Sequence, residues 1–320
     1  MSQEEHSLWI EKYRPKTFDE VYGQEAIVKR LKSFVEQKNI PHLLFSGPAG
    51  VGKTTLALII AKTLFGDIWR QNVLETNASD ERGIDVVRQK IKDFARTRSI
   101  GTDIPKIVYL DECDSLTKEA QQALRRTMEQ YSRTTRFILS CNFSSKIIDP
   151  IQSRCTVFRF KPLVKEDLVK VIKHLAEKEG LTIEEKALEA IYDVSQGDVR
   201  KAENILQSCS AMGKEITEEG IYEIVSAARP KEVKGVLETA LAQRFLEARS
   251  QLLDLMLKHG LSGMDIIKHI QREIWNLDVT DESKMQIVAQ CGETEFRMVE
   301  GSDEFVQLES LLASIALHKP

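Results

Sequence analysis

One short stretch, residues 47–54, constrains this chain more than any other: it reads GPAGVGKT and fits the phosphate-loop pattern G-x-x-x-x-G-K-[ST] without a mismatch. Its residues are Gly47, Pro48, Ala49, Gly50, Val51, Gly52, Lys53 and Thr54. Glycines let a backbone bend closely around a triphosphate and turn N–H groups inward, at the start of a helix whose dipole favours an anion. Lys53 is expected to bring charge to the β- and γ-phosphates, and Thr54 a hydroxyl ligand for Mg²⁺.

The residues on either side of this loop fit the context that the motif requires. Residues 42–45 (HLLF) predict a short buried strand entering the loop, and residues 55–61 (TLALIIA) a buried helix leaving it. A glycine-rich turn that binds nothing is the alternative, and the flanking pattern favours the phosphate site. The predicted nucleotide contacts cover the whole loop and extend to Thr55.

A second motif, which is acidic, follows an apolar run. Residues 107–110 (IVYL) end in Asp111 and Glu112, the form expected of a Walker B motif. Asp111 would hold Mg²⁺, and Glu112 would orient or polarise the attacking water. Two acids can also simply end a strand, but a complete phosphate loop upstream favours the catalytic interpretation.

Three further features indicate nucleotide contacts, each with a simpler alternative. Asn142 follows an apolar strand, where strand tips converge on the γ-phosphate, although asparagine is also an ordinary turn former. Arg200 lies near the start of a predicted helix, where the dipole disfavours a cation, so either an anion lies nearby or the arginine is on the surface. Tyr13 and Arg14 precede Pro15 in an extended segment and could flank a base or belong to a surface tail.

Composition limits the remaining classes. The formal net charge of −4 excludes a uniformly basic nucleic-acid coat, so any DNA contact must come from local patches. The five cysteines are scattered without a C-x-x-C pair, which indicates neither a disulfide framework nor a zinc site and predicts a reducing, intracellular compartment. No apolar run approaches a membrane span, so we expect a soluble chain without a targeting segment.

The order of the predicted elements indicates an α/β fold followed by helices. Strands near residues 43, 73, 107, 137 and 157 alternate with helices and predict a five-stranded parallel αβα domain over residues 1–161. Only helices are predicted for a lid domain at 162–228, where Thr182 and Glu185 suggest a capping box. Residues 229–320 predict a third, all-helical domain without a chemical motif, suited to packing or oligomerisation.

One predicted helix carries a row of cations. Arg88, Lys92 and Arg96 recur every four residues and would lie along one ridge. Such a ridge could follow a DNA phosphate strand, or it could be a solvated helix face.

Taken together, these motifs resemble the AAA+ ATPases, and among them the clamp loaders of the replication factor C small-subunit family. The segments that carry the resemblance are residues 11–15 (EKYRP), 47–54, 77–80 (NASD), 111–112, 123–129 (ALRRTME), Asn142, 153–155 (SRC) and 197–200 (GDVR). The SRC triplet is the most diagnostic. The resemblance covers the first two predicted domains closely and the third by length and class only.

The resemblance implies a role for each matching residue. Asn142 would be the sensor that contacts the γ-phosphate of ATP, and Arg200 the second sensor, reaching it from the lid. Arg154 would be an arginine finger inserted into the neighbouring subunit's ATP. Arg82 and Arg88 would contact DNA phosphates inside a spiral of subunits, with binding that is independent of sequence and sensitive to salt.

The implied function is that of an ATPase subunit of a clamp loader, which opens a PCNA-type sliding clamp and places it on primer–template DNA. Its partners would be a replication factor C large subunit and further small subunits, in a hetero-oligomer expected to be a pentamer. An archaeal form is favoured, which implies a cytoplasmic, nucleoid-associated protein; a eukaryotic form would be nuclear. The alternatives are another AAA+ DNA machine, such as a Holliday-junction motor or helicase loader, and a non-hydrolysing scaffold subunit.

Overall fold

The computed structural model describes residues 8–79, 84–225 and 230–317, without the side chains of 84–88 and 230. The chain divides into two compact units, one up to Ile216 and one from Thr217. The predicted boundary between 161 and 162 falls inside the first unit. The three-domain division therefore stays a prediction.

The first unit contains the predicted five-stranded parallel sheet. Its strands are β1 (His42–Ser46), β2 (Val73–Asn77), β3 (Lys106–Asp111), β4 (Thr135–Cys141) and β5 (Cys155–Arg159). They are ordered β2-β3-β4-β1-β5, and every neighbouring pair is parallel. The strand that enters the phosphate loop therefore lies inside the sheet, between β4 and β5.

Helices cover both faces of this sheet. The helices that precede or separate the strands are α1 (Trp9–Lys12), α2 (Glu25–Glu36), α3 (Lys53–Phe65), α4 (Trp69–Asn72), α5 (Ile84–Arg96), α6 (Lys118–Gln130) and α7 (Asp149–Gln152). Successive side chains of a strand point to opposite faces, so Leu43 and Phe45 join one core with α2 and α3, and Leu44 joins the other with α5 and α6. Each fully buried leucine or phenylalanine contributes roughly 1.5–3 kcal/mol to this arrangement.

The first unit is completed by three helices and two short strands. The helices are α8 (Lys165–Glu179), α9 (Glu185–Ser195) and α10 (Val199–Ser210), and the strands are β6 (Thr182–Ile183) and β7 (Glu215–Ile216). The strands are an addition to the helices predicted here, and the capping box predicted at Thr182 is wrong. The Thr182 N–H donates to the Lys214 carbonyl at 2.9 Å, because this β-branched pair joins the short sheet. Helix α9 starts beyond it, with Glu184 as its N-cap.

The second unit is built from α11 (Glu218–Val225), α12 (Pro230–Leu241), α13 (Phe245–His259), α14 (Gly263–Glu273), α15 (Asp281–Val299) and α16 (Glu304–Leu317). Aliphatic residues at helical spacing, such as Ile266, Ile267 and Ile270, form a core among α12–α16. Within the described part of this unit, all regular structure is helical, as predicted. None of the helices in the described ranges is long and apolar enough to cross a bilayer.

Candidate active site

The phosphate loop joins β1 to α3 and is organised around Lys53. The Lys53 ammonium donates hydrogen bonds to the carbonyl oxygens of Gly47 at 2.5 Å and Pro48 at 2.7 Å, and to Asn142 Oδ1 at 3.2 Å. Burial lowers the pKa of Lys53, while the nearby Asp111 carboxylate acts in the opposite direction. The predicted charge donor and the predicted sensor therefore lie side by side.

Gly50 is the point at which the lid helix α10 docks on the loop. Its φ of +68° lies in the region that glycine adopts most readily, and its carbonyl accepts a hydrogen bond from Val199 N at 3.1 Å. A Cβ atom at Gly50 would lie 1.6 Å from Asp198 Oδ1, the oxygen that caps α10 by accepting from Lys201 N. This close approach holds the start of α10, and with it Arg200, against the phosphate loop.

Oxygen ligands for a metal ion meet beside the loop. The Thr54 hydroxyl donates to Asp111 Oδ2 at 3.1 Å, and the Tyr109 hydroxyl donates to the same oxygen at 2.9 Å. Burial raises the pKa of the Tyr109 phenol, so it remains a donor. One hydroxyl and one carboxylate fit Mg²⁺, which binds few protein ligands together with substrate phosphates. Groups of three or more metal-binding side chains are absent from the described residues.

The loop after β3 orients the remaining polar groups. Glu112 adopts a left-handed conformation with a φ of +52°, and its exposed carboxylate lines the pocket. Asp114 accepts hydrogen bonds from the backbone N–H groups of Asn142 at 3.3 Å and Phe143 at 3.2 Å. Asp114 thus links the tip of β4 to the acidic loop. The sequence analysis assigns Asp114 no role, although it lies two residues beyond Glu112.

The groups of the first unit that were predicted to bind the nucleotide converge on one pocket of about 340 Å³. Those that line it are Tyr13, Arg14, Ala49, Gly50, Val51, Gly52, Lys53, Thr54, Thr55, Asp111, Glu112, Asn142 and Arg200. Gly47 and Pro48 act through their carbonyl contacts with Lys53. Loop, strand tips and lid therefore face one cavity large enough for a small molecule.

The amino-terminal segment forms one wall of this pocket and is tied to the lid. The Tyr13 hydroxyl and the Lys12 ammonium both donate to Glu179 at the end of α8, the latter at 2.6 Å. Burial, and then the hydrogen bond to Glu179, raises the pKa of Tyr13. Trp9 N donates to Gln207 Oε1 of α10 at 3.0 Å. Tyr13 thus belongs to a pocket wall that is fixed by hydrogen bonds to α8 and α10, and not to a surface tail.

One pocket residue was missed by the sequence reasoning. Glu203 lies one turn after Arg200 on α10 and is only 7% exposed. Burial raises the pKa of the Glu203 carboxyl to about 7, while the positive charges of Arg200 and Arg14 oppose the shift. A glutamate in a polar stretch of helix gives no local sign that it will be buried.

Arg154 does not line this pocket. It lies on the turn between α7 and β5. Its guanidinium donates to the Pro150 carbonyl at 2.7 Å and pairs with Glu129 of α6 at 2.5 Å, and it remains 38% exposed. Glu129 also pairs with Arg125 at 2.7 Å. The structure therefore does not bring Arg154 to the pocket of its own chain.

The structure does not describe the side chain of either residue predicted to contact DNA. Arg82 falls within residues 80–83, and the side chain of Arg88 is among those not described. On the same predicted ridge, Arg96 donates to the Tyr131 hydroxyl at 3.4 Å and pairs with Asp93 at 3.5 Å. The basic ridge stays a prediction.

Comparison with known families gives two matches. Residues 43–163 match the AAA family, described as ATPase family associated with various cellular activities. Residues 228–314 match the replication factor C C-terminal domain. The first match covers the sheet and the phosphate loop, and the second covers most of the second unit.

Relatives match the chain over nearly its full length. The replication factor C small subunit of Methanococcus maripaludis is 56% identical over 97% of this chain and 98% of its own. That of Archaeoglobus fulgidus is 53% identical over 98% of both. Among solved structures, the RuvB Holliday junction branch migration motor of Thermotoga maritima aligns with a TM-score of 0.56 at 21% identity, over 78% of this chain and 92% of that one. At this identity the structural likeness shows the fold alone.

Proposed function

The chain belongs to the family of replication factor C small subunits, ATPase subunits of clamp loaders, and from this premise we propose how its site binds and hydrolyses ATP. Lys53 and the backbone N–H groups of the phosphate loop bind the β- and γ-phosphates. Asn142 contacts the γ-phosphate beside Lys53, and Arg200 reaches it from the lid. Tyr13 and Arg14 form the wall on the nucleoside side.

Thr54 and Asp111 would hold Mg²⁺, and the 3.1 Å separation of their oxygens supports a shared ligand role. An ion held there would supply positive charge to the phosphate oxygens of ATP. Glu112 orients the attacking water and takes up its proton. Tyr109 keeps Asp111 in position, because its hydroxyl donates to the same carboxylate oxygen.

Arg154 supplies the last positive charge to a neighbouring subunit. Its place outside the pocket of its own chain supports this role, since its side chain is partly exposed at the surface. A guanidinium has a permanent charge and a planar set of donors that match transition-state phosphate oxygens. Hydrolysis then depends on assembly.

The proposed partners are a replication factor C large subunit with further small subunits as a pentamer, a PCNA-type clamp and primer–template DNA. ATP acts as a conformational ligand, because its γ-phosphate contacts the phosphate loop, the ends of the strands and the lid. Hydrolysis removes these shared contacts. Arg82 and Arg88 are proposed to contact DNA phosphates. An archaeal protein would act in the cytoplasm at the nucleoid.

The alternative of a Holliday-junction motor or helicase loader is not favoured. We expect such machines to carry a C-terminal winged-helix domain with a β-hairpin, whereas residues 228–314 match the replication factor C C-terminal domain. The described part of that segment is helical.

The observation that carries the proposal is the convergence of Lys53, Asn142, Thr54 and Asp111 at one end of one pocket. The test measures ATP hydrolysis by the purified chain alone and then with large subunit, clamp and primed DNA. We expect strong stimulation only in the full mixture, and its loss in Lys53→Ala. Unchanged hydrolysis and clamp loading in Lys53→Ala would instead support the scaffold alternative.

A further inference from the structure

Glu203 is a carboxylate that the mechanism above does not use. It lines the pocket at 7% exposure, and within residues 8–79, 84–225 and 230–317 no group donates a hydrogen bond to it. A buried carboxylate without a donor is costly, and such groups in proteins are usually paired or hydrogen-bonded. Its surroundings therefore indicate that a ligand supplies the donor.

The position of Glu203 along α10 indicates which part of a nucleotide it faces. Val199 at one end of the helix donates to the phosphate loop, and Gln207 at the other accepts from Trp9 of α1. Glu203 lies four residues from each, about 6 Å along the helix axis. Glu203 thus lies midway between the phosphate loop and the amino-terminal segment that forms one wall of the pocket.

The negative charge of the Glu203 carboxylate itself argues against its contact with phosphate. Arg14 and Arg200 favour its ionised form, whereas Asp198 and Glu11 oppose it. His174 and Lys178 of α8 line the same pocket. A carboxylate repels phosphate oxygens but accepts strong hydrogen bonds from neutral donors, and a nucleoside offers these as ribose hydroxyls and a base amino group.

We propose that the Glu203 carboxylate accepts a hydrogen bond from the nucleoside of the bound nucleotide and helps to select that nucleoside. The proposal rests on the proposed ATP site and adds a specificity residue to it. Arg200, one turn earlier on the same helix face, contacts the phosphates, while Glu203 hydrogen-bonds the nucleoside. Burial raises the pKa of Glu203, in agreement with a carboxylate that lacks a protein donor.

The test measures dissociation constants at pH 8 by calorimetry on the full chain. The ligands are ATP, 2′-deoxy-ATP, 3′-deoxy-ATP and purine riboside triphosphate, which lacks the 6-amino group. Hydrogen bonds to charged groups are strong enough that wild type should disfavour at least one analogue by about tenfold. Glu203→Leu should bind that analogue and ATP equally, and Glu203→Gln, which keeps an acceptor oxygen, should retain part of the preference.

The control is Glu177→Gln, which changes an exposed glutamate of α8 and should keep every ratio of the wild type. Which analogue loses its penalty tells whether a ribose hydroxyl or the base amino group is the donor. The proposal is overturned if Glu203→Leu preserves all the ratios, or if wild type shows none. Lys53→Ala separates the two hypotheses: if it binds ATP as wild type does, the ATP site itself is misplaced.

Discussion

Glu203 should make the stability of the first unit fall as the pH rises. Burial raises its carboxyl pKa from about 4.5 to about 7 in the folded chain, so between these values the folded state holds a proton that the unfolded state has released. The stabilisation from the neutral carboxyl is complete below the unfolded pKa and is lost as pH rises through the folded one. The two values differ by about 2.5, and at 1.4 kcal/mol per pKa unit the loss is about 3 kcal/mol.

The measurement compares wild type with Glu203→Gln, which stays neutral at every pH. Urea unfolding is followed by tryptophan fluorescence in a Trp275→Phe background, so that the signal comes only from Trp9 and Trp69 of the first unit. Between pH 5 and pH 8 the variant should gain about 2–3 kcal/mol relative to wild type. Glu177→Gln should show no such trend. A difference between wild type and Glu203→Gln that stays flat with pH would refute the reasoning.

Three further substitutions test the geometry of the site. Gly50→Ala places a Cβ atom 1.6 Å from the Asp198 carboxylate, so it should weaken ATP binding by more than about tenfold. Gly180→Ala, at a similar φ but with open space around it, should cost only about 1 kcal/mol in urea unfolding. Equal effects of the two substitutions on ATP binding would contradict this. Tyr109→Phe removes a donor from a partly buried contact with the Asp111 carboxylate, so it should cost about 1 kcal/mol and raise the Mg²⁺ concentration for half-maximal ATPase. An unchanged Mg²⁺ dependence would contradict the role given to Tyr109. Glu129→Gln breaks partly exposed ion pairs and should change the unfolding free energy by less than about 1 kcal/mol; a larger loss would mean that the cluster supports the fold.

Much of the pocket could be predicted from the sequence because its parts lie at fixed places in a parallel sheet. Lys53 follows a strand, Asp111 ends one and Asn142 follows another, and the carboxyl ends of parallel strands meet at one edge. Local patterns do not tell which strands are neighbours, so the order β2-β3-β4-β1-β5 could not be predicted. It is decided by packing over the whole sheet.

The features that sequence reasoning missed depend on contacts between distant residues. Glu203 is buried because α1, nearly two hundred residues earlier, packs against α10 through the bond from Trp9 to Gln207. The pairing of Arg154 with Glu129 likewise joins the turn before β5 to α6. At Thr182 the local signal was wrong, because a two-residue strand competed successfully for the backbone that a helix cap would use.

The two proposed phosphate-binding arginines differ in a way that links the chemistry to assembly. Arg200 is carried into the pocket by the docking of α10 on Gly50, so each chain holds it whenever the lid is docked. Arg154 is held at the surface by Glu129 and Pro150, away from that pocket. A lone chain can therefore supply every proposed group that binds ATP but only part of the charge that stabilises the transition state. Removing Arg200 should weaken ATP binding to the lone chain, whereas removing Arg154 should leave that binding intact and lower hydrolysis only in the assembled complex.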